Sequence, residues 1–438
     1  MSTARMLSAG TALVVAATLL TGCGSSAPEP AAKTVTITFW DDNAGPSRTP
    51  IWTKIIEDFE KANPKIKVKY VGIPIADVQK RYDAAVVTGK LPNVGGVSTA
   101  VMSNLVIRNV LIPVDDYLAN SRLNDELNPS VLTSIRSTVP DRKVYMVPMS
   151  TNAGVFWYRK DLFAQAGLTA PDTWGAFYAA LSRLTNGQQF GYTIRGGAGS
   201  IAQMVEFVYG QTGMTDMYDQ NDRSTLNDPR NVAALERLVT LYRRVTPKAD
   251  VDNDYPKMVA QFDGGKIAVM QHNLGSYNDH VKALGKEKVG AFVLPKSDSG
   301  LQIMLSNPVS GLGVFAAGKE QDAAYRFAEF AASKASNSYW ARETGTLPAN
   351  DRVLGEAWLK QDAPLQEATR VLSDPATRVV QMPYYLPQFN KITKAETEPL
   401  FRQVLLGDLA PKAFLDQFAK KLTDAQADYK KRVAVQTP

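Results

Sequence analysis

The chain is 438 residues long, with 45% apolar and 21% charged residues and a formal charge of +6. That length exceeds what one hydrophobic core fills comfortably and points to two domains, while a single cysteine, Cys23, excludes an internal disulfide. The surplus of Lys and Arg is small and scattered, which argues against nucleic acid as a partner: Lys65, Lys67 and Lys69 alternate with Ile66, Val68 and Tyr70, the pattern of a half-buried strand.

At the start of the chain, Arg5 precedes an apolar run over 13–20 that is too short to span a bilayer and reads as an export signal. Small Thr21 and Gly22 stand directly before Cys23. This placement resembles a bacterial lipobox and predicts cleavage of 1–22, with lipidation of Cys23 as the new N-terminus. One acyl chain holds a protein to a membrane only marginally, so stable retention needs the two chains of a diacylglycerol. Residues 23–33 then form a tether of at most roughly 30 Å. The folded body is expected on the extracytoplasmic face of the cell membrane, ending in a short tail over 433–438.

Beyond the tether, 34–40 alternates Val35, Ile37 and Phe39 with threonines and predicts a strand. Thr49 caps a helix with Pro50 at its first position, whose apolar face (Ile51, Ile55, Ile56, Phe59) ends at Asn63 and Pro64. A second strand over 65–71 completes a βαβ unit with parallel pairing. Another unit follows, a helix marked by Ile75, Val78, Tyr82 and Val86 and stopped by Gly89, then a strand over 94–97. Further strands are predicted over 154–158, 191–194, 266–270, 289–294 and 311–315, with helices over 232–244 and 322–332. The fold class is α/β.

The sequence carries little catalytic chemistry. His272 and His280 form no HExxH pattern, and neither GxxxxGK[ST] nor GxSxG occurs, so no metal and no cofactor is implied. Asp41 and Asp42 offer a carboxylate pair of the kind glycosidases use, although adjacent residues at a strand end usually diverge. The other reading of the same residues is ligand contact: open α/β sheets bind ligands outside the carboxyl ends of their strands, where Trp40, Asp41, Asp42 and Asn43 lie.

The order of segments resembles the extracellular solute-binding proteins of ABC importers, specifically the group that binds sugars and polyols. The resemblance covers nearly all of 33–432. It rests on FWDDN at 39–43, YMVPMSTNAGVFWYRKDLF at 145–163, PDTW at 171–174, GGKIAVMQHNLGSY at 264–277, SGLGV at 310–314 and TGTLPA at 344–349. It implies two α/β lobes joined by a hinge, with 34–149 and 288–333 in lobe one and 150–287 and 334–432 in lobe two. The crossings are expected near 148–152, 287–290 and 333–336.

The resemblance also implies a carbohydrate ligand between the lobes, delivered without catalysis by a monomer to membrane permease subunits that a cytoplasmic ATPase drives. Sugars present polar edges and apolar faces, so rings are expected over the faces and polar groups at the hydroxyls. Tyr277, after Gly275 and Ser276, is the expected stacking platform, with one of Tyr384 and Tyr385 as a second. The loop carrying Arg195, Gly197, Ser200 and Gln203 is expected to reach the ligand from lobe two, with Asn152 and Asn273. Ser310 and Gly311 are expected to contribute from lobe one. In place of the aspartate and the aromatic or acidic residue common in the family, this chain has Asn93, then Gly95, Gly96, Val97, Ser98 and Thr99, which implies room in lobe one or hydroxyl contacts from Ser98 and Thr99. A binder of glycerol phosphodiesters or other polyols on the same fold, and a secreted glycoside-active enzyme, remain the alternatives.

Overall fold

The computed structural model describes residues 34–436, so the expected leader, Cys23 and the whole tether lie outside the described residues. The strands are, in chain order, β1 (Val35–Asp41), β2 (Ile66–Gly72), β3 (Val94–Ser98), β4 (Val147–Thr151), β5 (Gly154–Arg159) and β6 (Phe190–Thr193). They continue with β7 (Ile267–Asn273), β8 (Val289–Phe292), β9 (Ile303–Leu305), β10 (Ser310–Val314), β11 (Leu347–Pro348) and β12 (Arg378–Val380). One sheet has the order β11-β4-β10-β3-β1-β2, another β6-β7-β5-β8, and β12 pairs with β9 as a small ribbon.

The first βαβ unit forms as its pattern requires. β1 and β2 run parallel in register from Val35↔Ile66 to Asp41↔Gly72. The helix between them, Thr49–Ala62, buries Ile51, Trp52, Ile55 and Phe59. This face packs on the first sheet and on helix Gln321–Ala332, with the Trp52 ring 4.7 Å from Phe39 and Phe59 5.2 Å from Phe327. Thr49 is the first helical residue and not the cap; its Oγ1 accepts from Gly45 N and pairs with the Tyr70 hydroxyl, which draws it into the turn before the helix.

Two lobes result, each with its own core, but their boundaries differ from those expected. Residues 289–292, assigned to lobe one by the sequence, form β8 at the edge of the second sheet, antiparallel to β5 with Phe156 opposite Phe292 and their rings stacked at 5.2 Å. Ile303 and Leu305 also lie in the second core. Conversely, helix Lys334–Thr344 and β11, expected in lobe two, complete lobe one: Trp340 packs 4.7 Å from Trp52, and β11 extends the first sheet along β4. The chain therefore crosses at 152–153, at 306–309 and within 351–357. The second and third crossings come later than expected because an aromatic edge strand holds the chain in lobe two and a buried tryptophan then holds it in lobe one.

No helix among the described residues is long and apolar enough to cross a membrane.

Candidate functional site

A cavity of about 260 Å³ lies where the lobes meet. Its floor is the start of helix Ser200–Thr212 together with the end of β7. Gly199 precedes that helix at φ 86°, a left-handed conformation that favours glycine, and the Arg195 guanidinium occupies the space a side chain there would need. Arg195 donates through Nε to the Ala198 carbonyl at 2.6 Å, and its terminal nitrogens have no hydrogen-bond partner among the described residues. Burial lowers its pKa, while the Glu398 carboxyl opposes that effect. Glu398 accepts from Gly199 N at 2.6 Å.

The helix adds Gln203 and Glu206 to the lining, and β7 adds His272 and Asn273. Gln203 donates to the Gln271 carbonyl at 2.6 Å. Glu206 is buried, and desolvation pushes its carboxyl up to about 7. One of its oxygens accepts from Gln271 at 3.0 Å and the other has no partner. His272 holds its ring parallel to Tyr255 at 4.6 Å, and burial keeps it well below the ordinary imidazole range.

The remaining walls come from segments in which only Tyr384 carries a sequence signal for this role. The second crossing supplies Ser306, Asn307 and Pro308, and the 382–398 segment supplies Met382, Tyr384, Phe389, Asn390, Thr393, Lys394 and Glu398. Part of that segment, Lys391–Thr397, is a π-helix, a form that recurs at functional positions. Asn390, Lys394 and Glu398 recur every four residues, which keeps them on one side of such a wide turn. Lobe one contributes Ala100. The lobes are fastened there by Asn390 Nδ2 donating to the Ala100 carbonyl at 2.8 Å and Ser103 Oγ donating to the Tyr385 carbonyl at 2.7 Å. Buried polar atoms without a partner gather on the same elements, at Asn104, Ser200, Glu206 and Gln388. Such atoms usually find a partner, and for Glu206, the one of these residues that lines the cavity, an occupant can supply one.

Of the residues the sequence singled out, Arg195, Gln203, Asn273 and Tyr384 line this cavity, and Ser200 lies fully buried beside it. Tyr384 donates its hydroxyl to the Ser306 carbonyl at 3.0 Å. Tyr385 faces away, donating to Gln426 at 2.6 Å and packing on Tyr429.

Tyr277 is not a platform. The turn Leu274–Ser276 leads directly into helix Tyr277–Leu284, and the ring lies parallel to Trp157 at 5.5 Å in the second lobe's core. Gly275 sits outside the cavity lining in the same turn, its N–H donating to Asn273 Oδ1. Asn152 pins the first crossing, its side-chain oxygen accepting from Leu274 N at 3.0 Å. Gly197 is fixed by its bond to the Asn253 carbonyl at 2.7 Å.

The lobe-one candidates also have structural duties. Asp41 is 1% exposed and accepts from the Tyr70 hydroxyl at 2.7 Å and from Asn43 N at 3.0 Å. Trp40 is buried between Tyr82 and the Arg81 guanidinium. The room expected from Gly95 and Gly96 is filled, because added side chains there would meet the Tyr82 hydroxyl and the Asp42 carboxyl. Burial raises that Asp42 carboxyl to about 6. Thr99 is buried and accepts from Val309 N at 3.1 Å, while Ser98, Ser310 and Gly311 are ladder residues of β3 and β10. Sequence reasoning missed Arg48, whose guanidinium lies 5.4 Å over the Trp340 ring and feels Asp41 and Asp42 from its own lobe and Tyr255 and Asp279 from the other.

Known proteins share this architecture. A solved ABC substrate-binding protein from Listeria monocytogenes, in complex with cycloalternan, superposes with a TM-score of 0.78 over 90% of this chain and 100% of its own, at 22% identity. In sequence, the chain is 25% identical to a putative ABC transporter periplasmic-binding protein of Escherichia coli over 80% of each chain. It is 27% identical to the mannitol-binding protein of Pseudomonas aeruginosa, over 69% of this chain and 71% of that one. Residues 45–338 match the family described as bacterial extracellular solute-binding protein. A match over more than half the chain, with a two-lobe fold and a cavity at the seam, makes this protein a member of that family.

Proposed function

We propose that this protein captures a carbohydrate or polyol between its lobes and delivers it unchanged to an ABC permease. The carrying observation is the cavity itself, where free Arg195 donors and the polar edges of Gln203, His272 and Asn273 face the apolar surfaces of Leu305, Met382 and Phe389. Alternating polar and apolar walls suit a molecule with hydroxyl edges and C–H faces. A volume of about 260 Å³ sits just under the roughly 300–1,000 Å³ usual for ligand pockets. It therefore suits one sugar unit or an acyclic polyol, and an oligosaccharide places one of its units here. The named ligands of the relatives, mannitol and cycloalternan, span that range. The enzyme alternative gains nothing from Asp41, whose oxygens are engaged with Tyr70 and Asn43.

Calorimetry over mannitol, ribitol, maltose and a glycerol phosphodiester tests the reading. One of the first three is expected to bind near micromolar, about 8 kcal/mol, with scattering showing compaction and no product formed. Preference for the phosphodiester transfers Arg195 and Lys394 to a phosphate, and turnover of any glycan overturns the transport reading.

The same proposal places the protein at the extracytoplasmic membrane face through lipid on Cys23, acting as a monomer with permease subunits and a cytoplasmic ATPase as partners. Cys23→Ala is expected to move the protein from the membrane fraction to the soluble fraction. Retention in the membrane fraction removes the anchor.

A further inference from the structure

Behind the cavity runs a buried chain of hydrogen bonds that no ligand contact requires. Asp263 Oδ1 lies 2.6 Å from His280 Nδ1, and His280 Nε2 lies 2.9 Å from Ser276 Oγ. The same hydroxyl is 3.1 Å from His272 Nδ1 and 3.3 Å from the Asn273 carbonyl. His280 and Ser276 are fully buried, so this Asp–His–Ser alignment is closed to substrates and its role is not hydrolysis. His272, at the end of the chain, lines the cavity, and its Nε2 has no partner among the described residues.

Counting protons assigns the ring. A carboxylate accepts only, so His280 carries a proton on Nδ1. The Ser276 hydroxyl has one proton, which it donates to the Asn273 carbonyl at 3.3 Å. No proton remains on Ser276 for His272, which must bring its own to Nδ1, and the Asn273 carbonyl favours a proton on the same ring. Burial, and after it the Arg195 charge, keeps His272 neutral, with the Tyr255 ring stacked on it.

We propose that Asp263, His280 and Ser276 act as positioning residues that lock His272 in the Nδ1–H tautomer, so that bare Nε2 meets a ligand hydroxyl as a hydrogen-bond acceptor. Arg195 offers only donors, so the pair reads both ends of a hydroxyl: its oxygen at Arg195, its proton at His272. This assignment rests on the carbohydrate reading of the cavity.

The chain has two histidines, which makes the test direct. In protein labelled with ¹⁵N-histidine, the spectrum lost in His272→Asn identifies His272. A protonated Nδ1 with bare Nε2 is the expected pattern; a protonated Nε2 overturns the proposal. With mannitol or maltose, whichever binds, the Nε2 signal is expected to move on saturation. His272→Asn, which keeps an amide near Nδ1 but removes the Nε2 position, is expected to lose at least tenfold in affinity. His272→Gln, which restores an acceptor there, is expected to stay within about threefold. Ser276→Ala is expected to mix the tautomers and weaken binding severalfold without touching ligand. Equal affinity in wild type and His272→Asn overturns the contact. Absence of any carbohydrate binding in wild type overturns the cavity reading and this contact with it, while leaving the free-protein tautomer pattern in place, so the two failures are distinguishable.

Discussion

Arg195→Ala is expected to lower carbohydrate affinity about a hundredfold while leaving the unfolding temperature within a few degrees of wild type. Its bond to the Ala198 carbonyl leaves the guanidinium fork unmatched by protein acceptors. Hydrogen bonds from a charged donor contribute roughly 1.5–3 kcal/mol each in net terms, and about 2.7 kcal/mol corresponds to a factor of one hundred. Arg195→Lys keeps the charge and loses the planar fork, and is expected to recover only part of the loss. Calorimetry against the best-binding sugar, beside a melting curve of the free protein, separates the two effects. A large drop in melting temperature with unchanged affinity assigns Arg195 to the fold instead.

The second large effect is on stability and falls in lobe one. Gly311→Ala is expected to destabilise the protein by about 3 kcal/mol, roughly 6–12 °C for a lobe of this size. A side chain there would stand 2.3 Å from the Val147 carbonyl and 2.9 Å from the Pro148 α-carbon. Both obstacles are backbone, and β10 is hydrogen-bonded on both sides, to β3 and β4, with an irregularity between Ser310 and Gly311. Neither neighbour has freedom to retreat. Gly275→Ala is the control: its nearest contacts, 3.2 Å and beyond, are side-chain atoms of Asn273, Asn152 and Arg48, and little change is expected. A melting curve of Gly311→Ala indistinguishable from wild type contradicts the packing argument.

Much of the fold is legible in the sequence because local periodicity and burial agree. The threonines of β1 alternate with Val35, Ile37 and Phe39, and Gly89, at φ 66°, ends helix Val78–Thr88 as its position predicts. Lobe membership is harder, because β8 and β10 are both short apolar strands and only tertiary pairing decides which sheet each joins. The site is legible where a polar residue stands in a glycine-rich turn, as Arg195 does. It is illegible at Ser306–Pro308, which becomes a wall only because the chain crosses there, and at Tyr277, where an aromatic after a turn reads the same whether it faces ligand or Trp157. Asn390, Lys394 and Glu398 carried a usable spacing, but their polarity resembles any solvated helix face.

The placement of β10 has a consequence for biogenesis. It lies between β3 and β4, yet Ser310 meets Ser98 only after the 211 intervening positions have been made. Until then a nascent chain carries two unzipped strand margins, each a template for aberrant pairing, and closure across so long a separation is intrinsically slow. Holding the polypeptide unfolded until its last third has emerged is therefore a physical requirement of this topology, and a product truncated before residue 310 is expected to aggregate.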